Sequence, residues 1–131
     1  MTCRECREED RRAVFEGLKE YNSAYIRVRD LSYCIEEEGR VAAGILARLL
    51  EDCIYVEMLW VDEAFRRRGL GRRLLAQVEE EGRKWGARRI ELDTFSFQAP
   101  DYYPKLGFRE FARVEPYSGA YGRYYFIKEL T

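Results

Sequence analysis

The stretch Arg66-Arg67-Arg68-Gly69-Leu70-Gly71-Arg72 decides how the rest of this 131-residue chain is read. Before it lies a strand-like run, Cys53 to Val61. After it Leu70, Leu74, Leu75, Val78 and Trp85 recur at helical spacing, with Glu79-Glu80-Glu81 outside and Gly86 as a natural helix stop. The local order is therefore strand, glycine loop, helix. Two glycines let the backbone turn tightly and come close to a ligand. The helix start offers unpaired N–H groups and the positive end of the helix dipole. Together these make a seat for a phosphate-like anion. The five arginines between Arg66 and Arg73 add positive potential. A Walker loop would end in Gly-Lys-Ser/Thr, and a dinucleotide fingerprint would need three glycines after an early first strand; this chain has neither. On the residues alone two other readings stay open. One is a basic helix start that binds nucleic acid, against which the acidic helix surface behind it argues; the other is a plain structural turn.

Upstream, residues 31–36, 40–50 and 53–61 read as strands separated by the short turns Glu38-Gly39 and Glu51-Asp52, which predicts an antiparallel meander. Residues 8–21 read as a helix, with Glu8, Glu9 and Asp10 at its positive end and Val14, Phe15, Leu18 and Tyr21 on one face. Residues 2–6 are expected as a short first strand, and 22–30 as irregular or a short helix. Downstream, 89–97 reads as a strand parallel to 53–61 through a right-handed crossover. Residues 100–106 read as a short helix, with Pro100 in its first turn and Gly107 ending it. Residues 108–115 and 123–130 read as a closing strand pair joined by a loop. The expected fold class is α/β with a mixed sheet, in one domain over residues 1–131.

Composition narrows the chemistry. At 47% hydrophobic and 36% charged residues the chain belongs with globular proteins rather than disordered ones. No apolar stretch reaches the roughly 18 residues of a membrane-spanning helix, and Met1-Thr2-Cys3-Arg4-Glu5 lacks a signal-peptide core. The expectation is a cytoplasmic protein. A net charge of −1 demands no nucleic-acid or membrane partner. The chain has no histidine, which excludes Ser-His and Cys-His nucleophile pairs and any histidine metal site. Proton transfer falls to Tyr, Cys, Lys or carboxylates. Cys3 and Cys6 have the spacing of a redox pair or a zinc half-site. No second CxxC completes it, so the four cysteines are expected as reduced thiols on the first strand and in the core.

Two motifs in register carry a resemblance. Arg66-x-x-Gly69-x-Gly71 after a strand, followed by Leu74-Leu75, resembles motif A of the GNAT superfamily of N-acetyltransferases. Ala99-Pro100-Asp101-Tyr102-Tyr103-Pro104-Lys105-Leu106-Gly107-Phe108 resembles its motif B. Leu59-Trp60-Val61 and the run from Thr94 to Pro100 are similar to small stand-alone bacterial and archaeal members. The resemblance covers residues 31–130 and implies a GNAT fold in which two parallel strands splay apart to admit acetyl-coenzyme A.

The resemblance also implies site residues. The pantetheine arm would pair with the backbone at Leu59, Trp60 and Val61. The diphosphate would sit on N–H groups from Arg66, Arg67, Arg68, Gly69, Leu70, Gly71 and Arg72. An amine would attack the thioester directly. Alkyl amines have a pKa of about 10, so a base must remove a proton at neutral pH. Glu57 is the candidate base, the alternative for it being a solvent-facing or ion-paired carboxylate; Asp93 is the substitute. Tyr103 is the candidate acid for the departing thiolate, against a packing tyrosine; Tyr102 falls in a core position. Pro104 departs from the family's charged residue at that place. Ser96 and Gln98 are candidates for contacts to pantetheine or substrate, or equally strand-end caps. No metal is implied.

Acceptor contacts would come from residues 21–30 and 116–124, where Tyr21, Tyr25, Tyr117, Tyr121 and Tyr124 suit either an amine or a homodimer interface, with Glu20 and Asn22 as polar anchors. The acceptor would be a small-molecule or protein amine. Two alternatives stand beside the enzyme: a non-catalytic acyl-coenzyme A-binding module, and a nucleic-acid binder using Arg66 to Arg73.

Overall fold

The computed structural model describes residues 1–130. The meander forms where the alternation places it. Strands β2 (Tyr33–Glu37), β3 (Arg40–Leu50) and β4 (Cys53–Val61) pair antiparallel in succession. A short strand preceding them, β1 (Val28–Asp30), lies on the other part of β3. After β4 comes helix α2 (Leu70–Lys84), which crosses over to β5 (Arg89–Phe95), parallel to β4. Strand β7 (Tyr121–Glu129) then inserts between β5 and β6 (Arg109–Ser118), antiparallel to both. The sheet order is β1-β3-β4-β5-β7-β6, with β2 also on β3. This is the mixed α/β architecture read from the element order.

One face of the sheet holds the core. Ile45, Ala47 and Leu49 of β3, Ile54 and Val56 of β4, Ile90 and Leu92 of β5 and Phe126 of β7 pack against Leu74, Leu75 and Val78 of α2. The helix comes close at Gly82, where a Cβ would collide with the Ile54 side chain and meet Ala87 Cβ at 3.2 Å. Lys128 Nζ donates to Glu79 Oε1 at 3.0 Å, and Glu79 is buried. Glu79 therefore faces inward, where the sequence placed the whole acidic triplet outside.

Several other expectations are corrected. Residues 2–6 form no strand; they are exposed and lead into helix α1 (Glu8–Asn22), where Arg4 reaches Asp10 at 2.7 Å. A strand needs a sheet edge, and β1 and β2 already occupy that end of β3. Cys3, Cys6 and Cys34 are exposed and Cys53 is half-buried, so no cysteine sits fully in the core. Residues 28–30, in the stretch read as irregular or a short helix, are a strand. Residues 100–106 give only turns and a 3₁₀ turn at Pro104–Leu106, because Pro104 supplies no N–H to a longer helix. The closing strands run further than expected, leaving only Gly119 and Ala120 outside them. Trp85 ends α2 exposed, with the Arg29 guanidinium 3.8 Å over its ring. Among the described residues no helix is long and apolar enough to cross a membrane.

Candidate functional site

The parallel pairing of β4 and β5 is brief. It covers Cys53 with Arg89, Ile54 with Ile90 and Tyr55 with Glu91, and then stops. The cause lies in β4 itself. In the β3 ladder Ala47 faces Val56 and Leu46 faces Met58, which leaves Glu57 as an extra residue without a partner. Such a bulge bends its strand and sharpens the local twist. Beyond it β4 stays on β3 through Val61 but has left β5. The β5-facing backbone of Met58 to Val61 is thereby free to pair with something inserted in the gap. Glu57 sits at the mouth of that gap, exposed and in no ion pair among the described residues. Asp93, on the facing strand, is already committed: Arg123 Nη2 donates to it at 2.9 Å.

At the end of β4 the chain turns through Asp62, whose Oδ1 accepts from the Ala64 N–H at 2.9 Å, and a 3₁₀ turn at Glu63–Phe65. Arg66 then ties the loop back, its Nε donating to the Val61 carbonyl at 3.1 Å. Arg67 and Gly69 both take left-handed backbone, at φ 66° and 74°. Helix α2 begins there with no side-chain cap and no acidic residue in its first turn. Its first N–H groups are thus left to an external acceptor. Gly71 faces the gap: a Cβ there would meet the Tyr102 hydroxyl at 3.3 Å, with Val61 and Leu59 just beyond.

Tyr103 is buried, at 9% exposure, between Phe108, Phe126 and Tyr102, with ring centroids 5.7, 5.7 and 5.3 Å away. Burial, with Tyr102 and Asp93 nearby, pushes its hydroxyl up to about 12. It therefore keeps its proton throughout the physiological range. Tyr102, expected in the core, is only half-buried, and its hydroxyl lies beside the α2 start. Burial raises its pKa, partly opposed by Arg72.

Ser96 and Gln98 act as strand-end caps. Ser96 Oγ accepts from the Gly122 N–H at 3.0 Å, and Gln98 Oε1 accepts from the Phe95 N–H at 2.7 Å and from Thr94 Oγ1 at 2.9 Å. Beside them stands an aromatic cluster that the sequence reading named only in part. Phe95 stacks on Phe97 at 5.4 Å, and Phe97 meets Tyr121 edge-on at 4.8 Å. Arg123 Nη1 donates to the Tyr117 hydroxyl at 2.7 Å. The strand expected over 89–97 stops at Phe95, so Phe97 lies in the turn after it, and its spacing of two from Phe95 was the available signal. Tyr124 is held separately under Arg113, 4.0 Å from its ring. Tyr21 and Tyr25 lie together on the N-terminal arm, 6.1 Å apart. The described residues hold no group of three or more His, Cys, Asp or Glu side chains able to bind a metal ion.

The acetyltransferase (GNAT) family model matches residues 2–108, the span holding both the bulged strand and the α2 start. The chain belongs to the GNAT acetyltransferase family. It is 33% identical over 100 residues to the blasticidin-S acetyltransferase of Streptomyces morookaense, covering 76% of this chain and 74% of that one. The crystal structure of an acetyltransferase from Bacillus cereus superposes with a TM-score of 0.78 at 27% identity, covering 98% of this chain and 97% of the other. A Bacillus anthracis chain assigned as a streptothricin acetyltransferase, and solved in complex with acetyl coenzyme A, shares the fold with a TM-score of 0.65 at 23% identity, over 75% of this chain and 61% of that one.

Proposed function

We propose that this GNAT acetyltransferase takes its acetyl group from acetyl-coenzyme A and delivers it to the nitrogen of a primary amine. The observation that carries this is the gap itself: unpaired β4 backbone from Met58 to Val61, leading directly to an uncapped helix start. An arm with amide groups followed by a diphosphate fits that sequence of donors and acceptors, and no single anion needs it. The backbone at Leu59, Trp60 and Val61 aligns the arm. The α2 start from Arg66 to Arg72 holds the diphosphate, with Gly71 giving the clearance.

In the reaction the amine nitrogen forms a bond to the acyl carbon and the carbon–sulfur bond breaks. Glu57, at the mouth of the gap, takes the amine proton through water. Tyr103, protonated at neutral pH, donates a hydrogen bond to the departing sulfur. Ser96 supports the site by fixing the end of β5 rather than by touching the arm. A cytoplasmic place of action suits a reaction that draws on acetyl-coenzyme A. The acceptor is a small-molecule or protein amine, and the similarity to a blasticidin-S acetyltransferase puts that antibiotic in the first screen.

The test is release of free thiol from acetyl-coenzyme A in the presence of a panel of amines. We expect amine-dependent release that drops about 100-fold in Glu57→Gln. Cofactor binding without turnover on any amine would favour a non-catalytic binding module. Tight, strongly salt-dependent binding to DNA or RNA would favour the arginines as a nucleic-acid patch.

A further inference from the structure

Helix α1 carries an apolar stripe and one face of the sheet an apolar patch, and both are uncovered. Val14, Phe15, Leu18 and Tyr21 are 66%, 51%, 60% and 70% exposed, and no residue of α1 is buried. On the sheet, Leu46 faces Met58 across the β3–β4 ladder, and both are exposed, as is Trp60. These side chains point away from α2, because Leu59 and Val61, which alternate with them, are the ones that approach Gly71. The molecule exposes 9575 Å², whereas a compact 15.6 kDa chain exposes about 7,200 Å². The excess of about 2,400 Å² exceeds the roughly 800 Å² per partner that a stable interface buries.

The connection to the sheet holds α1 off its own chain. Arg27 is fixed at both ends: its N–H and Nε donate to the Glu51 carboxylate at 2.9 Å each, and its carbonyl accepts from the Glu51 N–H at 2.8 Å. Only Ser23 to Ile26 separate that anchor from the helix, and they carry helix-like bonds. Ser23 N–H donates to Lys19 O at 3.0 Å, and Tyr25 and Ile26 donate to Asn22 O at 2.9 and 2.8 Å. The helix therefore leaves the sheet as a stiff arm.

We infer that α1 of one chain lies across the uncovered sheet face of a second copy, and that the exchange is reciprocal. A two-fold pair satisfies both apolar surfaces at once, since each chain carries one of each. A net charge of −1 sets little repulsion between copies. The arm then crosses β4 beyond the bulge at Glu57, on the side away from α2. This pairing is independent of the chemistry proposed above, and its test does not involve activity.

Sedimentation or light scattering from about 1 to about 100 µM should give a species of twice the chain mass. Leu18→Glu and Leu46→Glu, both on exposed positions, should each raise the dissociation constant at least about tenfold. The two variants mixed in equal amounts should re-form a dimer, because one helix-on-sheet contact of the two is then intact. Hydrogen exchange across α1 should slow as wild-type concentration rises, a readout that needs no variant. A compact monomer at all concentrations would mean that α1 folds back or meets another protein, and would overturn the inference. So would a dimer that survives Leu18→Glu, or variants whose mixture stays monomeric.

Discussion

Tyr103 and Glu57 sit in opposite surroundings, and the difference sets what each can do. Glu57 is on an exposed bulge, where solvent reaches it and a water can relay a proton. Tyr103 is enclosed by aromatic rings with its hydroxyl pushed up to about 12. Such a group is a weak acid that keeps its proton, so its proposed part at the departing sulfur is that of a hydrogen-bond donor. Tyr103→Phe is expected to leave cofactor affinity unchanged and to lower kcat about 100-fold, as read by separate binding and turnover measurements. Equal loss in Tyr102→Phe instead would transfer the acid role to the hydroxyl beside Gly71. The same burial has a stability consequence. The folded pKa lies above the ordinary value of 10, so the unfolded chain loses this proton first as pH rises. Tyr103 stabilises the fold fully below pH 10, and that contribution falls away between pH 10 and about 12. It amounts to roughly 2–3 kcal/mol. Denaturant melts at pH 8 and pH 11 should show a loss that is smaller in Tyr103→Phe.

At the scale of elements, the helix-on-strand contact between α2 and β4 is set by one missing side chain. Gly82 lets the helix backbone come down onto Ile54. Gly82→Val would force the helix off β4 and disturb the α2 start as well; we expect a loss of about 2–3 kcal/mol, read as a lower urea midpoint with an unchanged slope. Elements of this kind were legible in the sequence because each is short-range: alternation over 40–50 and 53–61, helical spacing over 70–85, glycines at the stops. The strand, glycine loop and helix start around Gly69 and Gly71 were legible for the same reason, since their parts are consecutive residues. The bulge at Glu57 was not, because it exists only relative to the partner strand β3. The inward turn of Glu79 depends on Lys128, far along the chain, and the cap made by Ser96 depends on Gly122. The strand expected at 2–6 failed for a tertiary reason too, the sheet edge being filled by β1 and β2.

The whole molecule joins a firm half to an open one. The core under α2 is filled, while the gap between β4 and β5 leaves backbone without partners and the α2 start without a cap. A ligand that fills both should act on stability far beyond its own contacts, because it binds only the folded state. At a concentration of acetyl-coenzyme A about 100 times its dissociation constant the gain is about 2.7 kcal/mol, which for a chain of this size raises Tm by about 10 °C. Gly71→Glu places a carboxylate among Tyr102, Val61 and Leu59 at the helix start, and should abolish the shift. Replacing Arg67 and Arg68 by alanine should reduce the shift without abolishing it, because the proposed seat is made of backbone N–H groups and the exposed guanidiniums add only a screened field. The ordering of these three melts separates a built diphosphate seat from a basic patch. A patch would lose most in the arginine variant and least in Gly71→Glu, the reverse of what the geometry of the α2 start requires.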